Sequence, residues 1–136
     1  MAGEALALAT RALARREHSV RGLRERLLRG GVAGDDADEA LEELQRVGLL
    51  DDGRFARERA RVLAGRGKGD LAIRVDLEQA AVGAEEIDAA LAELDPEAAR
   101  AELVVTRRGA TLATARLLAS RGFDEAVVEA LVAQER

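Results

Sequence analysis

Apolar residues recur along this chain at three- and four-residue spacing, in short runs punctuated by glycine. Leu6, Ala9 and Leu13 share one helical face, and the pattern breaks at His18-Ser19, where a serine hydroxyl is suited to cap the next helix. That helix presents Leu23 and Leu27 and stops at Gly30-Gly31, because glycine takes left-handed C-terminal geometry at little cost. Gly34-Asp35-Asp36 opens a third helix with Ala37, Leu41 and Leu44 inward, its first-turn acids complementing the helix dipole and Gly48 ending it. The same punctuation then recurs. Asp51 or Asp52 caps a helix carrying Phe55, Arg59, Val62 and Leu63, and a glycine-rich connector follows at 65–70. Asp70 is placed to cap the helix of Ile73 and Leu77, and Glu85 to Leu94 makes the sixth. Pro96 fits the first turn of a new helix after the cap Asp95; the last three run approximately 96–107, 112–121 and 125–134, broken at Gly109 and Gly122. No stretch alternates apolar and polar residues as a sheet requires.

The apolar positions repeat at an offset of 50 residues: Leu13, Leu23, Leu27, Val32, Ala37, Leu41 and Leu44 are answered by Leu63, Ile73, Leu77, Val82, Ile87, Leu91 and Leu94. A looser third copy places Leu103, Leu117, Val127 and Leu131 at 40 residues beyond Leu63, Leu77, Ile87 and Leu91. Periods of this length mark stacked supersecondary units. The expected fold is all-α, with tandem three-helix repeats forming an elongated array whose curvature the periodicity leaves open. One domain, 1–136, then holds units of approximately 4–50, 51–95 and 96–136. A hydrophobic content of 48% is enough for a continuous core, with triplets packed on one another. Phe55 and Phe123 are the only aromatic residues, so aliphatic side chains supply nearly all the burial, each fully buried Leu contributing roughly 1.5–3 kcal/mol.

Composition narrows the chemistry. The chain has no cysteine, which excludes disulfides and thiolate metal sites and is compatible with a reducing cytoplasm; one histidine, His18, cannot build a multi-histidine zinc site. The segment from Met1 to Leu13 reads as helix and not as an export signal, and no apolar run approaches the roughly 20 residues of a membrane span. A net charge of −5 argues against simple polyelectrolyte binding to nucleic acid, yet the charge is segregated. Seven arginines fall between Arg11 and Arg29 against only Glu17 and Glu25, and Asp35 to Glu43 then carries six acids. Such a dipolar surface suits a partner rich in carboxylates or phosphates, which the arginine fork binds bidentately.

Enzymatic readings of the polar motifs are poor. His18-Ser19 is an adjacent pair with no third orienting group, so a turn histidine and a capping serine explain it better than a nucleophile. Asp51-Asp52 lacks a base or metal partner for hydrolysis. Residues 65–69 lack the spacing and preceding strand of a phosphate-binding P-loop. No enzyme, cofactor or metal is expected.

The junctions carry a stronger signal. The segment from Arg15-Arg16-Glu17-His18-Ser19 to Leu27 resembles the opening motif of the RecX family of recombination regulators, and Gly48-Leu49-Leu50-Asp51-Asp52-Gly53-Arg54-Phe55 is similar to that family's Gly-Leu-hydrophobic-Asp-Asp-x-Arg-Phe signature. Lys68-Gly69, Ile73-Arg74 and Leu77 match the opening of its second repeat's middle helix, and Arg121-Gly122-Phe123 resembles the matching turn of the third. Gly22, Asp70 and Ala72 depart from the family's frequent Glu, Pro and Arg. The resemblance implies a cytoplasmic, monomeric, non-enzymatic regulator that binds the RecA recombinase filament on DNA, in the filament groove, with weak direct DNA contact as an adjunct. It would inhibit or modulate recombination, DNA repair and the SOS co-protease function. A general nucleic-acid-binding module and an unrelated protein-interaction scaffold are the alternatives. Candidate partner contacts are Arg15, Arg16, Arg21, Arg24, Arg26, Arg54, Arg57, Arg66, Lys68, Arg74 and Arg121, with an ordinary solvated face as the competing role. His18, Ser19, Asp51, Asp52, Phe55, Gly122 and Phe123 are read as structural: an aspartate caps, Arg54 answers the acidic charge, and Phe55 buries against the preceding unit.

Overall fold

The computed structural model describes residues 2–133, and among them the chain forms nine helices and no strand. The helices are α1 (Ala2–Arg15), α2 (Val20–Arg29), α3 (Gly34–Arg46), α4 (Asp52–Gly65), α5 (Asp70–Gln79), α6 (Ala84–Ala92), α7 (Glu97–Arg108), α8 (Leu112–Ser120) and α9 (Glu125–Ala133). Residue 134, the expected end of the last helix, and Met1 lie outside the described residues. Five helices stop where glycine permits it: Gly31, Gly48, Gly67, Gly109 and Gly122 take positive φ just past a helix end, and Ala81 takes that conformation after α5.

The helices pack as tandem triplets, α1–α3, α4–α6 and α7–α9, the first and third helix of each making the main contact. The core is not continuous. Three separate clusters form, centred on Leu23, Leu27, Leu41 and Leu44; on Ile73, Leu77 and Ile87; and on Leu118, Phe123 and Val128. Each short helix turns its apolar stripe toward the other two of its own triplet, which leaves little for a neighbour to cover.

The third copy is in register one residue later than the sequence spacing suggests. The buried residues Ala60, Leu77, Val82 and Ile87 are answered by Ala101, Leu118, Phe123 and Val128, an offset of 41. One residue turns a helical position by about 100°, which is why Leu103 stands 59% exposed while Ala101 and Val105 are buried. In this register Thr114 occupies the place of Leu23 and Ile73. Its buried hydroxyl lies 3.2 Å from that of Thr111, which caps α8.

Several local expectations are corrected. Asp70 does not cap α5: Gly69 holds the cap position, and Asp70 is the first helical residue. Likewise Pro96 replaces Asp95 at the cap of α7, with no side-chain cap bond. Val62 faces outward. Phe55 is half-buried and packs on the core of its own triplet, not on the preceding one.

Neighbouring triplets are joined by latches of one design. At the first junction Asp51 caps its own helix, accepting from Arg54 N at 3.0 Å, while Asp52 reaches back and accepts from Val20 N at 2.8 Å, the amide that opens α2. Arg54 does not answer either aspartate by a side-chain bond. Its guanidinium donates to Glu17 at 2.7 Å and to the carbonyls of Gly48 and Leu49 at 3.0 Å each. At the second junction Glu97, again the first residue of the following triplet, accepts from Asp70 N at 2.6 Å and from Asp124 N at 3.1 Å. Arg100 then donates to the carbonyls of Asp95 and Lys68, each at 3.0 Å, and to the Asp70 carboxylate. Both acids sit where exposed helix N-termini favour negative charge.

Candidate interaction surface

At the first junction α2 and the α4–α5 pair leave a groove of about 390 Å³, lined by Arg16, Arg21, Arg26, Arg29 and Arg59, with Glu25 and Asp76 among them. Ser19 forms part of its wall, buried, with its hydroxyl accepting from Gly22 N at 3.0 Å to cap α2. His18 is buried beside it, its Nε2 3.2 Å from the Ala12 carbonyl. Burial first, then the Arg16 guanidinium, pulls the imidazole below its ordinary pKa, so the neutral form is favoured in the fold. Phe55 lines the same groove. The His18-Ser19 pair thus bends the chain and starts a helix.

The eleven basic candidates divide into two groups. Arg24 pairs with Asp38 at 2.8 Å and Arg74 with Asp88 at 2.7 Å, the same contact in two successive repeats, tying the second helix of a triplet to its third. Arg21 pairs with Glu25 at 3.1 Å and Arg57 with Glu93 at 3.7 Å, and Arg54 is spent on the first latch. Arg59, outside the candidates, forks onto both oxygens of Asp76 at 2.9 and 3.0 Å. In contrast, Arg15, Arg16, Arg26, Arg66, Lys68 and Arg121 make no ion pair among the described residues. Arg15, Arg16 and Arg26 belong to the first triplet. Arg121 lies against Gly67, where an added Cβ would meet its guanidinium at 2.9 Å, so it gathers with the 66–68 connector at the second junction.

Two arginines missed as candidates join the unpaired arginines of the first triplet. Arg29 lines the junction groove, and Arg11 and Arg29 both line a second groove between α1 and α2. Their signal was present in the density of arginine from 11 to 29, but which of those seven escape pairing depends on where Glu25 and the acids of α3 fall in the fold. The acidic face lies elsewhere: Glu39, Glu42 and Glu43 line a depression between α1 and α3. The first triplet is therefore dipolar.

Among the described residues no three His, Cys, Asp or Glu side chains converge as a metal site, and no helix is long and apolar enough to cross a membrane.

Residues 5–44 match the model of the first three-helix domain of RecX and residues 51–91 that of the second. The chain is 40% identical over 123 residues to the regulatory protein RecX of Xanthomonas axonopodis pv. citri, covering 82% of this chain and 75% of the relative. It is 38% identical over 135 residues to that of Halorhodospira halophila, covering 92% and 84%. A crystal structure of regulatory protein RecX is similar in fold, with a TM-score of 0.83 at 20% identity over 99% of this chain and 73% of that one.

Proposed function

Because the chain belongs to the RecX family of regulatory proteins, we propose that it binds a RecA recombinase filament on DNA, lies in the filament groove, and inhibits or modulates recombination and co-protease activity. The observation that carries this reading is the arginine surface of the first junction, where Arg16, Arg26 and Arg29 stand without carboxylate partners beside a groove shared by two triplets. Serial triplets offer successive surfaces along a filament, and several modest contacts combine when their spacing matches. Occupying the groove blocks partner DNA or co-protease substrates, and no step requires chemistry by this chain. The reading takes 1–136 as one functional domain of three units, 4–50, 51–95 and 96–136, acting as a monomer in the cytoplasm with weak direct DNA contact.

The test compares binding to RecA–DNA filaments, free RecA and free DNA at several salt concentrations. The filament is expected to bind best. Replacing Arg16 and Arg26 with Ala is expected to weaken that binding about tenfold, equivalent to about 1.4 kcal/mol, with helicity unchanged. A preference for free DNA with a steep salt slope would instead identify a general nucleic-acid-binding module. No effect on any filament property by a folded chain sinks the proposal.

A further inference from the structure

The second groove of the first triplet lies between α1 and α2 and has a volume of about 500 Å³. Arg11 and Arg15 stand one helical turn apart along one wall, Arg26 and Arg29 along the other, and Leu8, Ala12 and Leu27 make the floor. None of the four arginines has an ion-pair partner among the described residues, and all four are exposed. Leu8, which lines this trough, is 39% exposed.

The repeats provide an internal control. Fifty residues on, Arg15, Arg26 and Arg29 are replaced by Gly65, Asp76 and Gln79. Arg61, which answers Arg11, is paired with Glu58. In the third copy the same places hold Glu102, Thr106, Leu117 and Ser120. The three-helix unit is thus built twice without this cluster of four unpaired arginines, so packing does not require it.

We propose that this trough is a docking site for an acidic amphipathic helix of a partner protein, its apolar stripe on the Leu8 floor and its flanking carboxylates on the four arginines. Charge complementarity selects the acidic partner, and the arginine fork engages carboxylates bidentately. The aliphatic floor selects a helix over a nucleic-acid strand, because strand-binding grooves use aromatic rings for base stacking and no aromatic side chain lines this one. The site does not rest on the filament reading: Arg11, Arg15 and Leu8 lie outside the junction groove.

Fluorescence anisotropy with the full chain tests it, using a labelled helical peptide with a leucine stripe flanked by glutamates. The comparators are a scrambled peptide of identical composition and a single-stranded oligonucleotide of equal charge. The ordered peptide is expected to bind at least about tenfold more tightly than either. The R11E/R15E variant should lose at least about tenfold for the ordered peptide, while Leu8→Ser should narrow the gap between ordered and scrambled peptides. Circular dichroism checks the fold, and Arg15→Ala alone gives the same reading in milder form. Equal binding of the scrambled peptide, a preference for the oligonucleotide, or an ordered peptide indifferent to folded R11E/R15E overturns the proposal.

Discussion

The two junctions use one latch but close to different degrees. At the second, backbone meets backbone: Gly69 N donates to Arg121 O at 2.8 Å and Leu71 N to Gly122 O at 3.1 Å. Arg100 is only 11% exposed there and lies 5.9 Å from the centre of the Phe123 ring, a cation–π contact. At the first junction the side chain of Arg54 remains 38% exposed, and a groove stays open beside Ser19. The contrast tracks the residue at the cap of the middle helix. Gly69 lets the turn of the next triplet approach to within a Cβ radius, whereas Ser19 fills that space with its own side chain and turns it to capping. The same repeat thereby makes a tight seam where it has glycine and a lined groove where it has serine.

The largest effect is expected from closing off that approach. An added Cβ at Gly69 would lie 2.4 Å from Phe123 N and 2.5 Å from the Gly122 backbone; at Gly122, with φ of +85°, it would lie 2.6 Å from the Ala72 Cβ. Backbone cannot move aside as a flexible side chain can. Gly69→Ala is therefore expected to cost about 3 kcal/mol, read by thermal or denaturant unfolding, with loss of amide protection at Gly69 and Leu71. A melt within about 0.5 kcal/mol of the parent, with those amides still protected, would show that the seam is not needed.

Next is the clamp of the open junction. Arg54→Ala removes three bonds and isolates Glu17, whose other oxygen, Oε2, is already buried without a partner. An expected loss of about 2 kcal/mol follows from stranding that partly buried carboxylate and two carbonyls. The double variant with Glu17→Gln should recover part of it. If the single variant melts like the parent, the first junction is held by something other than this latch.

How far these differences can be read from sequence depends on how far apart the partners are. Ser19 and Asp51 bond amides three residues away, and their capping roles follow from local chemistry. Asp52 looks like a second cap for its own helix, yet its partner lies 32 residues back, a choice decided by packing. The pairs Arg24–Asp38 and Arg74–Asp88 were legible in principle, since both ends recur at the repeat period. Reading the arginines as one basic face hid that signal. The third copy slipped by one residue because Leu103 and Leu117 imitate the expected stripe, while the buried places are held by Ala101 and Thr114. The candidate surface was legible as a region and not as a set of free side chains.

A smaller effect separates the charge of Asp52 from its bond. Burial, the dominant influence, raises its pKa, with Glu86 and Asp51 adding to the shift and the Val20 N–H opposing it. A carboxyl whose folded pKa is raised contributes stability that is full below its unfolded value and is lost as pH rises through the folded one. At neutral pH the latch therefore keeps a useful acceptor at a desolvation cost. Asp52→Asn retains an oxygen for Val20 and is expected to match or slightly exceed the parent at pH 7, while Asp52→Ala loses about 1 kcal/mol. Equal losses for both variants would mean that the charge, and not the bond, holds the junction.

The smallest expected effect comes from His18, and it tests whether the open junction is the acid-sensitive one. Its folded pKa is lowered, so its contribution is full above the ordinary value of 6.5 and is lost as pH falls through the folded value. Protonation would place a cation in a buried turn beside Arg16, with Arg26 also opposing it. His18→Gln keeps a side-chain donor for the Ala12 carbonyl and removes that titration. Unfolding curves for the parent should weaken as pH falls below 6.5, and this acid limb should flatten in the variant. Hydrogen exchange should place the loss at α1, α2 and the amide of Val20, with the Gly69 and Leu71 amides unaffected. An acid limb of equal depth in His18→Gln, or one that opens both junctions together, would assign the pH response to groups other than His18.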